Sequence, residues 1–424
     1  MNSIEIDSLY SKYDSKFNSK FNYQFSSLVN FSKHKSLPFQ RWHYYQEGYS
    51  PELVDLIIKY LKINPVTSKI LDPFVGSGST LVSAQKNGIE ATGVELNPFS
   101  YFMSCAKTKN YNKKSIEICK QYKIPKYKKI ANVFDKYQLS IIRKLYSEKS
   151  LTKIELIKES INQINNIDSQ TILKSSLLSI LEPCSNYKKG GNGLKKRKKE
   201  NYLDVYEEFN KKLSQIIDDI ESKSSTSNIT LYNENITNLD KLVKDNSIDL
   251  SIFSPPYVNC FDYFEVYKIE LWLGEFIQTY DCIRKLRKSA LTSNLNANLK
   301  KDTPSICLQS YILEKIIDLI NVDDLWDKRI PKMILLYFSD MKRVLEDLFK
   351  KQKTKGYIAI VVGNSAYSGI PVPTDLILCE IASNLGFEVK EIIIARNNET
   401  SSQQYKKIGN MVKYIRESII ILQK

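Results

Sequence analysis

The chain has only two histidines, His34 and His43, both near its N-terminus, and no Cys-x-x-Cys pair. A Cys/His zinc site needs thiolates or imidazoles at close spacing, so almost no route to one is left, and no metal is expected. The seven cysteines (Cys105, Cys119, Cys184, Cys260, Cys282, Cys307 and Cys379) are odd in number and scattered. That pattern fits a reducing compartment better than a secreted disulfide framework. The N-terminal stretch carries acidic residues and no apolar signal-peptide core, and no apolar run approaches the ~18 residues that span a bilayer. Internal repeats are also missing. The expectation is a soluble, cytoplasmic protein with no membrane partner.

What is present is positive charge. Across 424 residues, 62 Lys and Arg face 47 Asp and Glu, a formal charge of +15. An excess of this size favours a polyanionic partner such as nucleic acid. The length suggests two to three structural units. Residues 1–36 are polar with aromatics at no clear period and read as a peripheral N-terminal arm. From Ile70 onward, short β-branched runs alternate with turns and helical stretches, as in a parallel sheet covered by helices. Candidate strands are Lys69 to Asp72, Glu90 to Glu95, Ile229 to Asn233, Ile248 to Phe253, Gly356 to Val362, Glu388 to Ala395 and Ser418 to Leu422. Only a polar stretch separates the last two, so that pair should be antiparallel. The fold class is α/β, a Rossmann-like seven-stranded sheet with an antiparallel last strand.

Residues 106–228 interrupt this alternation as a helical, Lys-rich insertion between the halves 37–105 and 229–424. Within it, Asn186 to Glu200 has seven basic residues, one acidic residue and three glycines. It reads as a flexible basic loop, either simply solvated or tracking phosphates. A further insertion, 281–330, opens with Arg284, Lys285, Arg287 and Lys288.

Two segments carry chemistry. In Ile70-Leu-Asp-Pro-Phe-Val-Gly-Ser-Gly-Ser-Thr80 a strand ends in a glycine-rich turn that opens a helix, so the backbone at Gly76 and Gly78 can approach a ligand. The spacing is neither Gly-x-Gly-x-x-Gly nor a Walker loop, which disfavours dinucleotides and triphosphates. One strand later, Glu95 in Gly93-Val-Glu-Leu-Asn-Pro98 stands where a carboxylate accepts both hydroxyls of a ribose. Either feature alone has a plain structural explanation, as a tight turn or a helix N-terminal charge. Together they favour an adenosine-type cofactor. The second segment, Ser254-Pro255-Pro256-Tyr257, follows a buried strand. Two prolines cannot continue a ladder and make a rigid loop. The Ser254 hydroxyl and the Pro255 carbonyl can accept hydrogen bonds from an exocyclic amine, and Tyr257 can stack on its ring.

These residues resemble the S-adenosylmethionine-dependent amino-group DNA methyltransferases, in particular the cytosine-N4 branch of restriction-modification methylases with its Ser-Pro-Pro-Tyr loop. The resemblance spans most of the chain. Phe74-Val-Gly-Ser-Gly78, preceded by Asp72, matches the cofactor loop; Glu95, with Asn97 beside it, matches the ribose acid. Glu234 stands where an Asp near the adenine is usual, and Gly48-Tyr-Ser-Pro-Glu-Leu-Val54, with Ser50 and Pro51, resembles a helix-start motif that closes over the methionine end of the cofactor. The resemblance implies S-adenosylmethionine as cofactor, duplex DNA as partner, base flipping, and a cognate restriction endonuclease as a candidate second partner. Ser254, Pro255, Pro256 and Tyr257 become the catalytic residues, and Lys188, Lys189, Lys195, Lys196, Arg197, Lys198 and Lys199 the candidate DNA contacts. His43 is expected to be structural, and Asn364 either lines the pocket or caps a turn.

Adenine-N6 methylation is the nearest rival, because the same loop presents either amine. A tRNA guanine-N2 methyltransferase lacks support in the first residue of the loop. A catalytically silent binding subunit would have no reason to keep all these residues. Pro183-Cys184 with Glu234-Asn235-Ile236 imitates the Pro-Cys and Glu-Asn-Val pair of cytosine-C5 enzymes, but it follows a helical stretch and would leave the Ser-Pro-Pro-Tyr loop without a role.

Overall fold

The computed structural model describes residues 3–30, 36–45, 48–191, 193–200, 203–224, 227–300, 310–398 and 407–424; His34 lies outside them. In chain order the strands are β1 (Ser19–Phe21), β2 (Lys69–Asp72), β3 (Glu90–Val94), β4 (Tyr187–Gly190), β5 (Gly193–Lys196), β6 (Ile229–Tyr232), β7 (Ile248–Phe253), β8 (Gln352–Gly363), β9 (Ser365–Tyr367), β10 (Ile370–Val372), β11 (Glu388–Asn397) and β12 (Arg416–Gln423). Eight of them form one sheet in the order β1-β11-β12-β8-β7-β2-β3-β6. The seven expected strands are all present. β12 runs antiparallel to both β11 and β8, while the remaining pairs are parallel.

The central strands read as unbroken apolar runs because both faces are covered. In β8, Ile358, Ile360 and Val362 enter one core and Ala359 and Val361 the other; β12 divides Ile420 and Leu422 from Ile419 and Ile421 in the same way. Helices Ile330–Lys351 and Thr374–Asn384 cover the first face, and Pro51–Tyr60 and Ser79–Lys86 the second. Truncating Ile360 to Ala would cost about 2–5 kcal/mol.

Two expectations are corrected. The N-terminal segment is not a peripheral arm. Its helix Ser3–Lys16 buries Ile6 and Tyr10, the Tyr10 hydroxyl donates to the Pro371 carbonyl at 2.8 Å, and β1 adds an eighth strand parallel to β11. Ile6, Tyr10, Tyr13 and Phe17 are spaced by four, three and four residues, a helical stripe made mostly of aromatics. The basic loop is in fact a hairpin, with Lys188 opposite Lys195 and Gly190 opposite Gly193. Gly191, at φ +57°, supplies the positive φ that a tight hairpin turn needs, so the glycines here form the turn.

Helices Lys113–Lys120, Glu148–Asn162, Ile167–Ile180 and Val205–Glu221 lie between β3 and β6. They share a core with Trp42, Phe99 and the stretch Phe264 to Ile283. Among the described residues, no helix is long and apolar enough to cross a membrane.

Candidate active site

β2 pairs with β7 on one side and β3 on the other, and the chain runs from β2 toward β3 but from β7 toward β8, in opposite directions across the sheet. A crevice must open at the carboxyl ends of β2 and β7, where ligands bind in such sheets. Both chemistry-bearing loops converge there. The cleft is lined on one flank by Phe74, Gly76, Glu95, Asn97 and Glu234, and on the other by Ser254 and Pro256.

On the first flank the Asp72 carboxylate accepts the Phe74 N–H at 2.9 Å and starts the turn. Asp72 does not line the cleft, and burial pushes its pKa up to about 7. Gly76 (φ +49°) and Gly78 (φ +82°) adopt backbone that other residues rarely take. A Cβ on Gly76 would stand 3.2 Å from the Tyr45 ring, and one on Gly78 2.9 Å from Ser104 Oγ. Glu95 is tied to this turn: its oxygens accept the Gly76 and Asn97 N–H groups, each at 2.7 Å. Burial raises its pKa to about 7 despite those donors. The Asn97 side chain caps helix Pro98–Thr108. Beneath the loop, buried Lys107 donates to the Ser77 carbonyl at 2.7 Å, and desolvation lowers its pKa to about 7.

On the second flank, β7 stops at Phe253 and the two prolines turn the chain. Pro255 is buried behind Ser254 and Pro256. Tyr257 is set back from the lining; its hydroxyl donates to Glu417 at 3.1 Å and lies 3.5 Å from Ser254 Oγ.

Sequence reasoning missed Tyr45 and the residues Ala290, Leu291, Ser293 and Asn294 of the wall. Tyr45, Gly48 and Tyr49 close one side, whereas Ser50 and Pro51 do not reach the cleft. Ser50 instead caps helix Pro51–Tyr60 by accepting the Glu52 N–H. Tyr49 is pinned through its hydroxyl to Thr80 Oγ1 at 2.5 Å. Tyr263, Phe264, Leu291, Ser293 and Asn294 complete the target side. Thr292 fastens that segment to Asp340, and Asn294 donates to the Phe261 carbonyl. The aromatic-acidic run Asn259-Cys-Phe-Asp-Tyr-Phe-Glu-Val-Tyr-Lys268, which follows the proline loop, is the sequence signal for Tyr263 and Phe264. Nothing local marks residues 290–294.

Of the basic group, Lys188, Lys195, Lys196, Lys198 and Lys199 are exposed. Arg197 is half-buried and pairs with Glu182 at 2.9 Å. Lys189 departs from the expectation of a phosphate contact: it is buried, 2.5 Å from Glu270 and 3.0 Å from His43 Nε2. Burial beside Lys189 and Lys107 keeps His43 neutral, in keeping with a structural role. Asn364 lies outside the lining and brackets Asp375 and the Tyr414 carbonyl. Cys184 is buried away from the cleft, and desolvation raises its thiol to about 12.

A sheet in this order, with a reversed last strand and a glycine loop, strand-end acid and proline loop around its switch point, is the α/β methyltransferase fold. The chain is similar to type II methyltransferase M.AvaI of Nostoc sp., at 28% identity over 435 residues, covering 94% of this chain and 89% of that one. Type II methyltransferase M.BsoBI of Geobacillus stearothermophilus is 27% identical over 465 residues (94% and 88%), and M.MvaI of Kocuria varians 24% over 418 residues (91% and 90%). No protein-family profile matches the chain. A solved S-adenosylmethionine-dependent methyltransferase from Archaeoglobus fulgidus aligns over 89% of this chain and 95% of its own at 12% identity and a TM-score of 0.31.

Proposed function

We propose that this protein is a site-specific DNA methyltransferase that uses S-adenosylmethionine to methylate the exocyclic N4 amine of cytosine in duplex DNA. The observation that carries the reading is one cleft with two unlike flanks: a glycine turn joined to a strand-end carboxylate, and a rigid Ser-Pro-Pro-Tyr corner. S-adenosylmethionine contributes an electrophilic methyl group on a sulfonium. Phe74, Gly76, Glu95, Asn97 and Glu234 line the cofactor side, with Glu95 placed to accept the ribose hydroxyls. Asp72 and Gly78 shape the loop from behind it, and Ser50 and Pro51 fix the helix start beside Gly48 and Tyr49.

On the target side, a base flipped from the duplex places its amine before Ser254 and the Pro255 carbonyl, with Pro256 bounding its ring and Tyr257 set behind Ser254 rather than stacked on the base. N–H donation to two fixed oxygens turns the nitrogen lone pair out of the ring plane. Bound S-adenosylmethionine would supply the methyl carbon to that nitrogen, its sulfur keeping the electron pair of the broken sulfur–carbon bond, and the amine proton would leave to solvent. Unstacking costs a few kcal/mol, offset by pocket contacts and by phosphate neutralisation. The exposed Lys188, Lys195, Lys196, Lys198 and Lys199 suit that second task, with Arg197 beside them. A cognate endonuclease is the partner this reading implies.

The test is incubation with labelled S-adenosylmethionine and duplex DNA, followed by digestion to nucleosides. Label in N4-methylcytosine is expected. Label in N6-methyladenine would move the assignment to adenine, and no label together with no cofactor binding would leave a silent nucleic-acid-binding subunit.

A further inference from the structure

A serine at the head of the proline loop poses a problem that an Asp or Asn does not. Its hydroxyl has one proton and two lone pairs, so it accepts from an amine only if its own proton is directed elsewhere. The structure supplies that direction. Ser254 Oγ donates toward the Tyr257 hydroxyl oxygen at 3.5 Å, and that hydroxyl donates to Glu417 Oε1 at 3.1 Å. The other oxygen of Glu417 takes both Nε (2.7 Å) and a terminal nitrogen (2.6 Å) of Arg396. The serine contact is long, as catalytic hydrogen bonds are before they tighten around substrate.

The chain has one sense. Arg396 offsets only part of the burial that raises the Glu417 pKa, but its guanidinium donates to Oε2 and leaves Oε1 to accept from the phenol. Burial and the neighbouring carboxylate keep the Tyr257 phenol protonated, so it donates to Glu417 and receives from Ser254.

Topology explains how three distant segments meet. The reversed strand β12 lies between β8 and β11, with Glu417 opposite Gly363 on one side and Arg396 on the other. Tyr257 lies across Gly363, where a Cβ would stand 2.7 Å from its ring. A side chain there would push the phenol away from Glu417.

We infer that Glu417 is a positioning residue which, braced by Arg396 and acting through Tyr257, turns the Ser254 hydroxyl into an acceptor for the target amine. The inference rests on the methyltransferase reading above.

The experiment is a double-mutant cycle of Tyr257→Phe and Glu417→Leu in the full chain, with Glu417→Gln as the conservative variant. It is read as kcat at saturating DNA alongside the cofactor Kd and the DNA KM. Each single change should lower kcat by roughly ten- to a hundredfold with Kd and KM little altered, as expected for a lost hydrogen bond to a charged group. The double variant should be no slower than the slower single one. Glu417→Gln should recover most of the rate, because its amide oxygen still accepts from the phenol. Multiplicative losses, or a Tyr257→Phe enzyme at the parental kcat, would overturn the inference. Tyr257→Phe leaves the Glu417–Arg396 pair intact, so the result is readable even where Glu417→Leu does not fold. A parent enzyme that methylates no DNA would instead defeat the underlying reading.

Discussion

The two flanks of the cleft are built by different means. On the β2–β3 flank the ligand-facing groups are fixed by the main chain: Gly76 and Asn97 N–H groups hold Glu95, and two left-handed glycines shape the loop. On the β7 flank the working groups are side chains braced by other side chains, Tyr257 by Glu417 and Thr292 by Asp340. Main-chain construction needs short, contiguous sequence. Side-chain bracing draws on residues far apart in the chain. Each flank should therefore fail in its own way when damaged.

The largest effects test that separation. Gly78→Val places a β-branched residue at φ +82° against Ser104, and it should weaken S-adenosylmethionine binding by about a hundredfold or more, read by calorimetry. The pair Pro255→Ala and Tyr257→Ala should lower kcat by at least about a hundredfold while the cofactor Kd stays near its parental value. A cofactor defect in the second variant would erase the distinction between the flanks. An undiminished rate would remove the proposed chemistry.

A smaller, pH-dependent effect belongs to the cofactor flank alone. The Glu95 pKa of about 7 exceeds that of an unfolded carboxyl, so its contribution to folding is full at low pH and is lost as pH rises through 7. In the role proposed for Glu95, ribose hydroxyls would donate to the ionised form, which would give cofactor binding the opposite sign. Affinity should rise from pH 6 to about 7.5 and then level off, with proton release seen as a dependence of binding heat on buffer. Glu95→Gln should abolish that slope. Asp72→Asn should not, because Asp72 shares the raised value but stands behind the loop.

The same contrast governs what the sequence makes legible. The glycine turn, Glu95 and the proline corner could be read directly, because each is a short run whose backbone geometry follows from Gly or Pro. Seven of the eight sheet strands could be read too, the central ones because burial on both faces leaves continuous apolar runs rich in β-branched residues. Glu417, Asp340 and Ser293 carry no local mark, and only the strand order and the loop closures bring Ser293 to the cleft and Glu417 and Asp340 behind its wall. Lys189 shows the converse: within a basic run it looks like its neighbours, yet hairpin alternation turns it inward to Glu270. The stripe in the first helix is hard to read because its apolar positions are mostly Tyr and Phe.

Lys188, Lys195 and Lys196 lie outside both flanks, and changing all three to Ala should leave cofactor binding and kcat at saturating DNA unchanged. The slope of log affinity for DNA against log salt should become shallower by about 2–3, one increment of ~0.9 for each phosphate no longer neutralised. An unchanged slope would assign phosphate tracking to another surface, with the basic cluster in helix Tyr280–Ser289 next in line.

The smallest expected effect is none. Cys184→Ala should methylate DNA at the parental rate, measured with labelled cofactor. A covalent route through ring carbon needs a thiolate, and burial holds this thiol near 12, so less than about one part in 10⁴ is ionised at neutral pH. The residue also sits in the core shared by the inserted helices, apart from the Ser254 corner. Loss of activity with an unchanged melting temperature would mean that the base is attacked from the insertion side. The proline corner would then be only the end of a strand, and the side-chain-braced flank would lose its chemical role.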